Sequence, residues 1–278
     1  MNRRELPAVA ASLLLASPVV VGALYSTLAP LGLAGAGANG PTLGAIGTVL
    51  RASDTWRGLG WTMATAAVAT IAATAAACYV AVRLRTSRAG HVLAILPMGV
   101  PHVAAALAAL LLLGQSGFFS RITYMLGWTA TPGEFPALVY DPAGVSLVVA
   151  FAWKEFPFLT LTALAVLLTT STDLEEAART LGANSHQTYR RVTWPQLWRG
   201  LAPAVLAAFA FLIGQYEMPA LLAPSNPLAL PLLTYERSVD SMLARRAEAH
   251  LGLLALVVSA LIVLLHARWR AHVEPEPL

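Results

Sequence analysis

Six long apolar stretches, separated by shorter polar segments, dominate the chain. Five of them reach the ~20 residues that an α-helix needs to cross about 30 Å of hydrocarbon, and the sixth is shorter. They lie at Leu6–Leu28, Leu59–Val82, Gly90–Leu113, Val145–Thr169, Leu201–Leu222 and Leu251–His266. This pattern predicts an all-α, polytopic membrane protein with six transmembrane helices.

The composition agrees with a chain that is surrounded largely by lipid. Hydrophobic residues make up 57% of the 278 residues and charged residues only 12%, and the mean hydropathy is +0.66. Soluble domains average about 25% charged residues. An ordinary cytoplasmic enzyme, a disordered chain and a nucleic-acid-binding protein are excluded, because a water-soluble chain of this size has nowhere to bury so much apolar surface.

The distribution of arginines predicts the orientation, because short cytoplasmic loops carry an excess of Lys and Arg. Eleven arginines fall on one side of the predicted spans: Arg3, Arg4, Arg83, Arg85, Arg88, Arg179, Arg190, Arg191, Arg199, Arg268 and Arg270. Six fall on the other side, in longer loops: Arg51, Arg57, Arg121, Arg237, Arg245 and Arg246. Both termini are therefore expected in the cytoplasm.

The first span also resembles a secretory signal peptide, because Arg3 and Arg4 precede an apolar run. The apolar region of a signal peptide is about 7–15 residues long and is followed by a polar cleavage region. The run here is longer and has no clear polar region after it. We therefore expect an uncleaved first helix.

The segment between the fourth and fifth spans has the pattern of a short, capped helix. Thr172 followed by Glu175 has the spacing of a capping box, and Glu175 with Arg179 has that of a favourable i, i+4 pair. A helix is expected to begin near Asp173 and to end at Gly182.

A second helix is expected directly after this break. Asn184 with Gln187 offers another cap, and Pro195 is expected near the start of a helix that leads into the fifth span. Two interpretations stay open on these residues alone: a solvated connector between two spans, or a rigid protrusion that a cytoplasmic partner grips.

The same segment resembles the EAA motif of membrane subunits of ATP-binding-cassette importers with the MetI-like permease fold. The resemblance rests on Glu176-Ala177-Ala178, then Gly182, then Val192-Thr193-Trp194-Pro195. The family usually has Ile and Leu where this chain has Val192 and Trp194, and both changes remain apolar. The resemblance extends from about Trp56 to His266.

Three further segments resemble one subgroup, the permeases for polyamines, thiamine, ferric iron and phosphonates. They are Asp141–Gly144, Trp153–Phe158 and Gly214–Pro219. The resemblance implies a MetI-like permease core at 57–268 with a coupling loop at 172–195. It is preceded by a helix and extracytoplasmic loop at 1–56 and followed by a cytoplasmic tail at 269–278.

The resemblance also implies the partners and the site that couples the chain to them. An ATPase subunit would dock in the cytoplasm, an extracytoplasmic solute-binding protein would deliver substrate, and a second permease would complete the pathway, as a heterodimer in preference to a homodimer. The implied coupling residues are Glu175, Glu176, Ala177, Ala178, Gly182 and Pro195. The implied location is the bacterial cytoplasmic (inner) membrane, and no nucleic-acid partner is expected.

The chain itself is not expected to be an enzyme. A Walker A loop needs Gly-Lys-Ser/Thr, and the only lysine, Lys154, lies between Trp153 and Glu155. ATP and Mg²⁺ are therefore expected on the partner ATPase, with no cofactor on this chain. The histidines show no metal-ligand spacing, so no metal site is expected either.

Four polar residues within the spans are candidates for a substrate path. They are Lys154, Glu155, Gln215 and Glu217. A charge at the bilayer centre costs roughly 2.5–3.5 kcal/mol on insertion scales, so such residues usually pair or line a cavity. Glu217 is a possible partner for Lys154, and a network that only fixes helix packing stays open as the alternative. A cation such as a polyamine or thiamine is the expected substrate in preference to phosphonates or iron, but the two acids do not establish this, because Lys154 lies among them.

The third span contains a candidate hinge. Pro97 and Pro101 interrupt its middle, where they predict a kink. His102 follows directly and is expected to be packed or hydrogen-bonded instead of acting as a ligand.

Two other function classes remain open from the sequence. One is a secondary carrier that works without an ATPase, for which the EAA-like loop would be a coincidence. The other is an intramembrane serine protease, suggested by Gly114-Gln115-Ser116-Gly117 with His250 or His266 as base. Four such common residue types form a weak signal.

Overall fold

The structure of the protein is a computed structural model that describes residues 6–35, 38, 40–169, 172–240, 242, 248–251 and 265. Within these residues the chain forms α-helices, short 3₁₀ turns and a π-helical turn, and no β-strand occurs among them. The predicted all-α class is confirmed.

The helices follow one another along the chain with short connections. They are α1 (Leu6–Leu28), α2 (Gly44–Arg51), α3 (Ser53–Arg83), α4 (Arg88–Ile95), α5 (His102–Leu113), α6 (Phe118–Met125), α7 (Val145–Thr169), α8 (Asp173–Thr180), α9 (Ser185–Thr188), α10 (Trp194–Ile213), α11 (Glu217–Leu222) and α12 (Leu230–Ser238). The predicted first and fourth spans have the same bounds as α1 and α7.

Four helical segments among the described residues are long and apolar enough to cross a membrane. They are Ser53–Arg83, His102–Met125, Val145–Thr169 and Ser185–Ile213. The predicted sixth span, Leu251–His266, lies almost wholly outside the described residues, as do both termini. The expected count of six spans and the cytoplasmic position of the termini therefore stay predictions.

Small side chains on α3 allow it to pack closely on α7. Every third or fourth residue is an alanine that the fold buries almost completely: Ala66, Ala69, Ala73, Ala77 and Ala81. In lipid, where burial of apolar surface drives little association, such small residues let helix backbones approach and gain van der Waals contact. The tightest helix pair of the fold is accordingly α3 with α7.

The core divides along these helices into two clusters. The first joins the N-terminal halves of α3 and α7 to α5, α11 and the end of α10 through Phe151, Leu212 and Met218. The second joins the other halves of α3 and α7 to α10 through Leu159, Leu197 and Leu201. α7 contributes to both clusters and is the central element of the fold.

The end of α3 that begins at Ser53 is locked to α12 and the chain before it. The backbone of Leu228 approaches Gly58 so closely that a Cβ on Gly58 would lie 2.6 Å from the Leu228 carbonyl oxygen. One turn further on, the Leu230 N–H donates to Thr62 Oγ1 at 2.9 Å. Arg237 Nη2 reaches Asp54 Oδ2 at 2.8 Å. This end is held by backbone proximity and polar contacts together.

Candidate functional site

The start of α8 differs from the expected capping box. Thr172 has helical backbone angles and makes no side-chain cap. The Glu175 carboxylate turns to the body of the protein instead, where it accepts a hydrogen bond from Thr193 Oγ1 at 2.9 Å and pairs with Arg85 Nη1 at 3.4 Å. The predicted capping box is therefore wrong: Thr172 lacks the extended backbone angles of an N-cap residue, and the Glu175 carboxylate, which would complete the box, is bonded elsewhere. Its ion-pair partner among the described residues is Arg85, not the expected Arg179.

The end of α8 has the predicted glycine break. Gly182 adopts φ +86°, a left-handed conformation that favours glycine. Its N–H donates to the Arg179 carbonyl at 2.9 Å, and the Ala183 N–H donates to the Ala178 carbonyl at 3.0 Å. These two bonds form a Schellman motif, which satisfies carbonyls that the end of the helix leaves without partners.

The second predicted cap is confirmed. Asn184 and Gln187 form a reciprocal capping box, with the Gln187 N–H donating to Asn184 Oδ1 and the Asn184 N–H donating to Gln187 Oε1, both at 2.9 Å. The chain then passes through α9 and a π-helical turn, Tyr189–Thr193, and enters α10, which has Pro195 in its first turn. The coupling segment, defined as residues 172–195, is therefore a rigid helix–turn–helix that continues into a membrane-crossing helix.

One face of α8 is apolar and exposed. Leu174, Ala177 and Leu181 have the spacing of a single helix face, and the exposed fractions of the two leucines are 57% and 88%. Glu176 is also exposed, whereas Glu175 and Ala178 face the body of the protein and are half-buried. Isolated exposed leucines are common, and here two of them line up with Ala177 along one side of α8 and its C-terminal end.

The third predicted span is broken rather than kinked. α4 ends at Ile95, a 3₁₀ turn covers Leu96–Gly99, and Val100 is extended before α5 begins at His102. Pro101 has no N–H, so it cannot donate to the Pro97 carbonyl one turn before it. The backbone at the break therefore needs other donors.

Lys154 supplies those donors from α7. Its ammonium donates to the Pro97 carbonyl at 3.0 Å and to the Val100 carbonyl at 2.6 Å. The residue is only 8% exposed, and its neighbour Glu155 only 7%. In a membrane, non-helical backbone is tolerated where other groups satisfy it or where it lines a cavity, and Lys154 does the former here.

The fifth predicted span, Leu201–Leu222, is also interrupted. The prediction that it forms one continuous helix is therefore wrong. α10 begins earlier, at Trp194, and ends at Ile213, and α11 begins only at Glu217. The Gly214 and Gln215 N–H groups donate three residues back, to Phe211 and Leu212, which tightens the last turn and closes the helix.

The two breaks lie around one intramembrane cluster of polar residues: Lys154 and Glu155 on α7, His102 on α5 and Glu217 on α11. α5, α7 and α11 pack against one another, which brings these residues to one region of the fold. Glu217 is exposed and Gln215 half-exposed. Among the described residues no ion pair joins Lys154 to Glu217, because the ammonium is directed to the two carbonyls.

Some contacts could not be read from the sequence. Arg85 follows the end of α3, and from the sequence it was only one of the arginines that predict the orientation of the chain. In the structure its guanidinium pairs with the Glu175 carboxylate. Thr193 lies inside the EAA-like motif and gave no signal of its own. The Asp54–Arg237 pair joins residues 183 positions apart, and only the fold brings them together.

The arrangement expected for the serine protease is not found in the described part of the chain. His250 packs edge-on against Tyr25 of α1, with ring centroids 5.4 Å apart, and no histidine hydrogen-bonds to Ser116 there. His266 lies outside the described residues. The Gly-Gln-Ser-Gly segment joins α5 to α6 as a turn, where the Gly117 N–H donates to the Gly114 carbonyl at 2.8 Å.

Comparison with known proteins identifies one family. Residues 69–276 match the model described as the binding-protein-dependent transport system inner membrane component. The maltose/maltodextrin transport system permease protein MalF of Escherichia coli (strain K12) is 32% identical over 146 residues, covering 52% of this chain and 28% of that relative. The probable sulfate transport system permease protein cysT of Chlorokybus atmophyticus is 32% identical over 114 residues, 40% of each chain. The match thus spans little more than a quarter of the length of MalF.

Two solved structures share the fold. One is a bacterial alginate ABC transporter in complex with an alginate pentasaccharide-bound periplasmic protein, with a TM-score of 0.74, 15% identity, and coverage of 98% of this chain and 94% of that chain. The other is a bacterial ABC transporter involved in the import of the acidic polysaccharide alginate, with a TM-score of 0.69, 16% identity, and coverage of 95% and 93%.

Proposed function

Since the chain belongs to the family of binding-protein-dependent transport system inner membrane components, we propose that it is the permease subunit of an ATP-binding-cassette importer in the bacterial cytoplasmic membrane. The observation that carries this proposal is the coupling segment. Its helix α8 presents an exposed apolar face and ends at Gly182, after which the segment continues through α9 and the π-helical turn into the membrane-crossing α10.

The proposed partner at this face is a separate ATPase subunit that binds ATP and Mg²⁺. Leu174, Ala177 and Leu181 would contact it, with Glu176 beside them. Movement of the ATPase would then move α8, and α10 would follow as a rigid body because the capped turn at Asn184 and the π-helical turn connect them without a flexible linker.

The proposed substrate pathway runs past the intramembrane cluster. Discontinuous helices near the middle of the membrane commonly form solute and ion sites in transporters. Here the break at 96–101 packs against α7, and the break at 214–216 leads into α11, which also contacts α7. Glu155, Gln215 and Glu217 offer polar groups in this region. Lys154 would hold the edge of the pathway through its two carbonyl contacts. Pro97 and Pro101 would lie at the hinge about which the third span tilts.

We propose a polar solute delivered by an extracytoplasmic solute-binding protein, and a second permease chain that completes the pathway, as a heterodimer. The relatives named above are permeases for maltose and maltodextrin and for sulfate. The expectation of a polyamine or thiamine stays a prediction that these relatives do not support. Binding of maltodextrin, sulfate, spermidine and thiamine to the co-purified binding protein, measured by calorimetry, would separate the classes.

The first test is affinity purification of the tagged chain in mild detergents with mass spectrometry of the proteins that accompany it. We expect an ATPase with a Walker motif, and we expect Leu181→Asp to lose it because a carboxylate would enter an apolar contact. The matched control is Val239→Asp, which places the same charge on an exposed apolar residue directly after α12, outside the coupling segment. A chain that stays alone in every detergent would favour the secondary carrier.

A further inference from the structure

We propose that Glu175 is a positioning residue that transmits motion from α8 to the membrane helices, in contrast to the neighbouring Glu176, which faces the ATPase. This inference rests on the proposed function and adds a mechanical role within the chain. It assigns the two adjacent acids of one motif to opposite sides of the same helix.

The contacts of Glu175 lie entirely within the chain. Its carboxylate accepts from Thr193 Oγ1 at 2.9 Å and pairs with Arg85 Nη1 at 3.4 Å. The Glu175 side chain is 16% exposed, and Thr193 is buried. A carboxylate with two donors in a partly buried site is held in one orientation and has little freedom to meet a second protein.

Arg85 extends this contact to a further helix. Its Nη2 donates to the Leu167 carbonyl at 2.5 Å. Leu167 lies in the last turn of α7, where carbonyls have no partner within the helix. We call Arg85, Glu175, Thr193 and the Leu167 carbonyl the polar junction. It joins the end of α3, the end of α7, the first turn of α8 and the π-helical turn that enters α10.

The polar junction ties a side chain of α8 to the membrane helices, while α8 also lies against α9 and the π-helical turn. No residue of α8 is buried, and its two leucines point away from the protein. Apolar packing therefore cannot fix the orientation of the helix, and of its side chains only Glu175 and the small Ala178 face the body. A force applied to the exposed face would reach α3 and α7 through the junction, and would reach α10 through both the junction and the chain.

The local sequence gives independent support. Thr172 and Glu175 have the spacing of a capping box, a local interaction that stabilises helix starts. The structure forgoes that local bond and directs Glu175 to residues 18 and 90 positions away. The carboxylate thus joins α8 to other parts of the fold, and it does not cap the start of its own helix.

The test uses the co-purified complex of permeases and ATPase, reconstituted in proteoliposomes with its binding protein. Two quantities are measured: the amount of ATPase that stays bound, and the number of solute molecules transported per ATP hydrolysed. The second quantity does not change when a variant merely lowers the number of folded complexes, because both rates then fall together. It therefore separates lost coupling from lost protein.

We expect Glu175→Ala to keep the ATPase at wild-type stoichiometry and to lower transport per ATP at least tenfold. Glu175→Gln, which can still accept from Thr193, should recover part of that loss. Thr193→Val should lower the ratio alone, but should add little to Glu175→Ala, because both remove the same bond. Glu176→Ala should show the opposite behaviour, losing the ATPase itself, and Glu236→Gln on α12 is the matched acid control.

Two results would overturn the inference. Glu175→Ala with wild-type transport per ATP would show that the junction carries no motion. Glu175→Ala that loses the ATPase as strongly as Glu176→Ala would make Glu175 an ATPase contact. Neither resembles failure of the proposed function, in which the unaltered chain would bind no ATPase at all.

Discussion

Replacement of Gly182 by alanine isolates the contribution of one backbone conformation to ATPase docking. The residue holds φ +86° at the end of α8, and a Cβ placed on it would meet no atom within 4 Å. A clash inside the chain therefore cannot contribute to the effect. What remains is the conformational cost of a left-handed non-glycine residue, which is roughly 1–2 kcal/mol.

The chain could avoid that cost only by leaving the left-handed conformation. It would then lose the two Schellman bonds, from Gly182 to Arg179 and from Ala183 to Ala178, which contribute about 0.5–1.5 kcal/mol each. The two routes are similar in free energy, so the cost of Gly182→Ala stays near 1–2 kcal/mol either way. Strain that is present in both the free and the docked chain cancels, so the affinity for the ATPase falls only as far as the free chain leaves the left-handed conformation; the largest excess of the strain over the lost bonds, about 1 kcal/mol, corresponds to a fall of up to about fivefold.

The assay is titration of ATPase against the permease complex in lipid nanodiscs. Gly182→Asn should weaken binding less than Gly182→Ala, because asparagine tolerates the left-handed region better. Gly182→Trp should have the same backbone cost as Gly182→Ala and an added steric penalty that only the docked complex feels. Equal affinity of the unaltered chain and Gly182→Ala would refute the reasoning, since it would mean that docking does not depend on this turn.

The remaining predictions concern the membrane helices. Lys154→Met should abolish transport and speed hydrogen exchange of the first amides of α5, because the Pro97 and Val100 carbonyls lose the ammonium that joins the break to α7 and Pro97 keeps only its long bond from the Val100 N–H; unchanged exchange would contradict this. Thr62→Val should lower the free energy of unfolding by about 1–3 kcal/mol, since the buried Leu230 N–H loses its acceptor, and Thr62→Ser, which keeps the hydroxyl, should restore the melting temperature. Gly58→Ala should destabilise by about 1–3 kcal/mol, because the new Cβ would press on the Leu228 carbonyl; a melting temperature equal to that of the unaltered chain would count against the close approach.

Local chemistry was sufficient to predict several elements. The apolar run at 145–169 predicts α7 with the observed bounds, because length and hydropathy alone decide whether a helix can span the membrane. Gly182 and the Asn184–Gln187 capping box were likewise predictable, since both act within a few residues along the chain.

The partners of Glu175 could not be predicted from the neighbouring sequence. Its spacing from Thr172 predicts a cap, yet Arg85 and Thr193 attract the carboxylate from elsewhere in the fold. No sequence pattern could rank these partners, because their distances depend on how α3, α7 and α10 pack. The same applies to the break after Ile213, where a predicted continuous span ends because the tightened backbone bonds close the helix.

The sequence by itself determined that this chain crosses a membrane, that its fourth span is one helix at 145–169, and that a helix ended by Gly182 and followed by the Asn184–Gln187 cap lies between the fourth and fifth spans. These outcomes depend on hydropathy, spacing and backbone preference, all of which act over short distances. Only the tertiary structure decided that Lys154 bonds the broken backbone at Pro97 and Val100, and that Glu175 turns inward while Glu176 turns out. A buried charge is satisfied by whatever polar group packing brings within about 3 Å, and that choice is made by the fold as a whole.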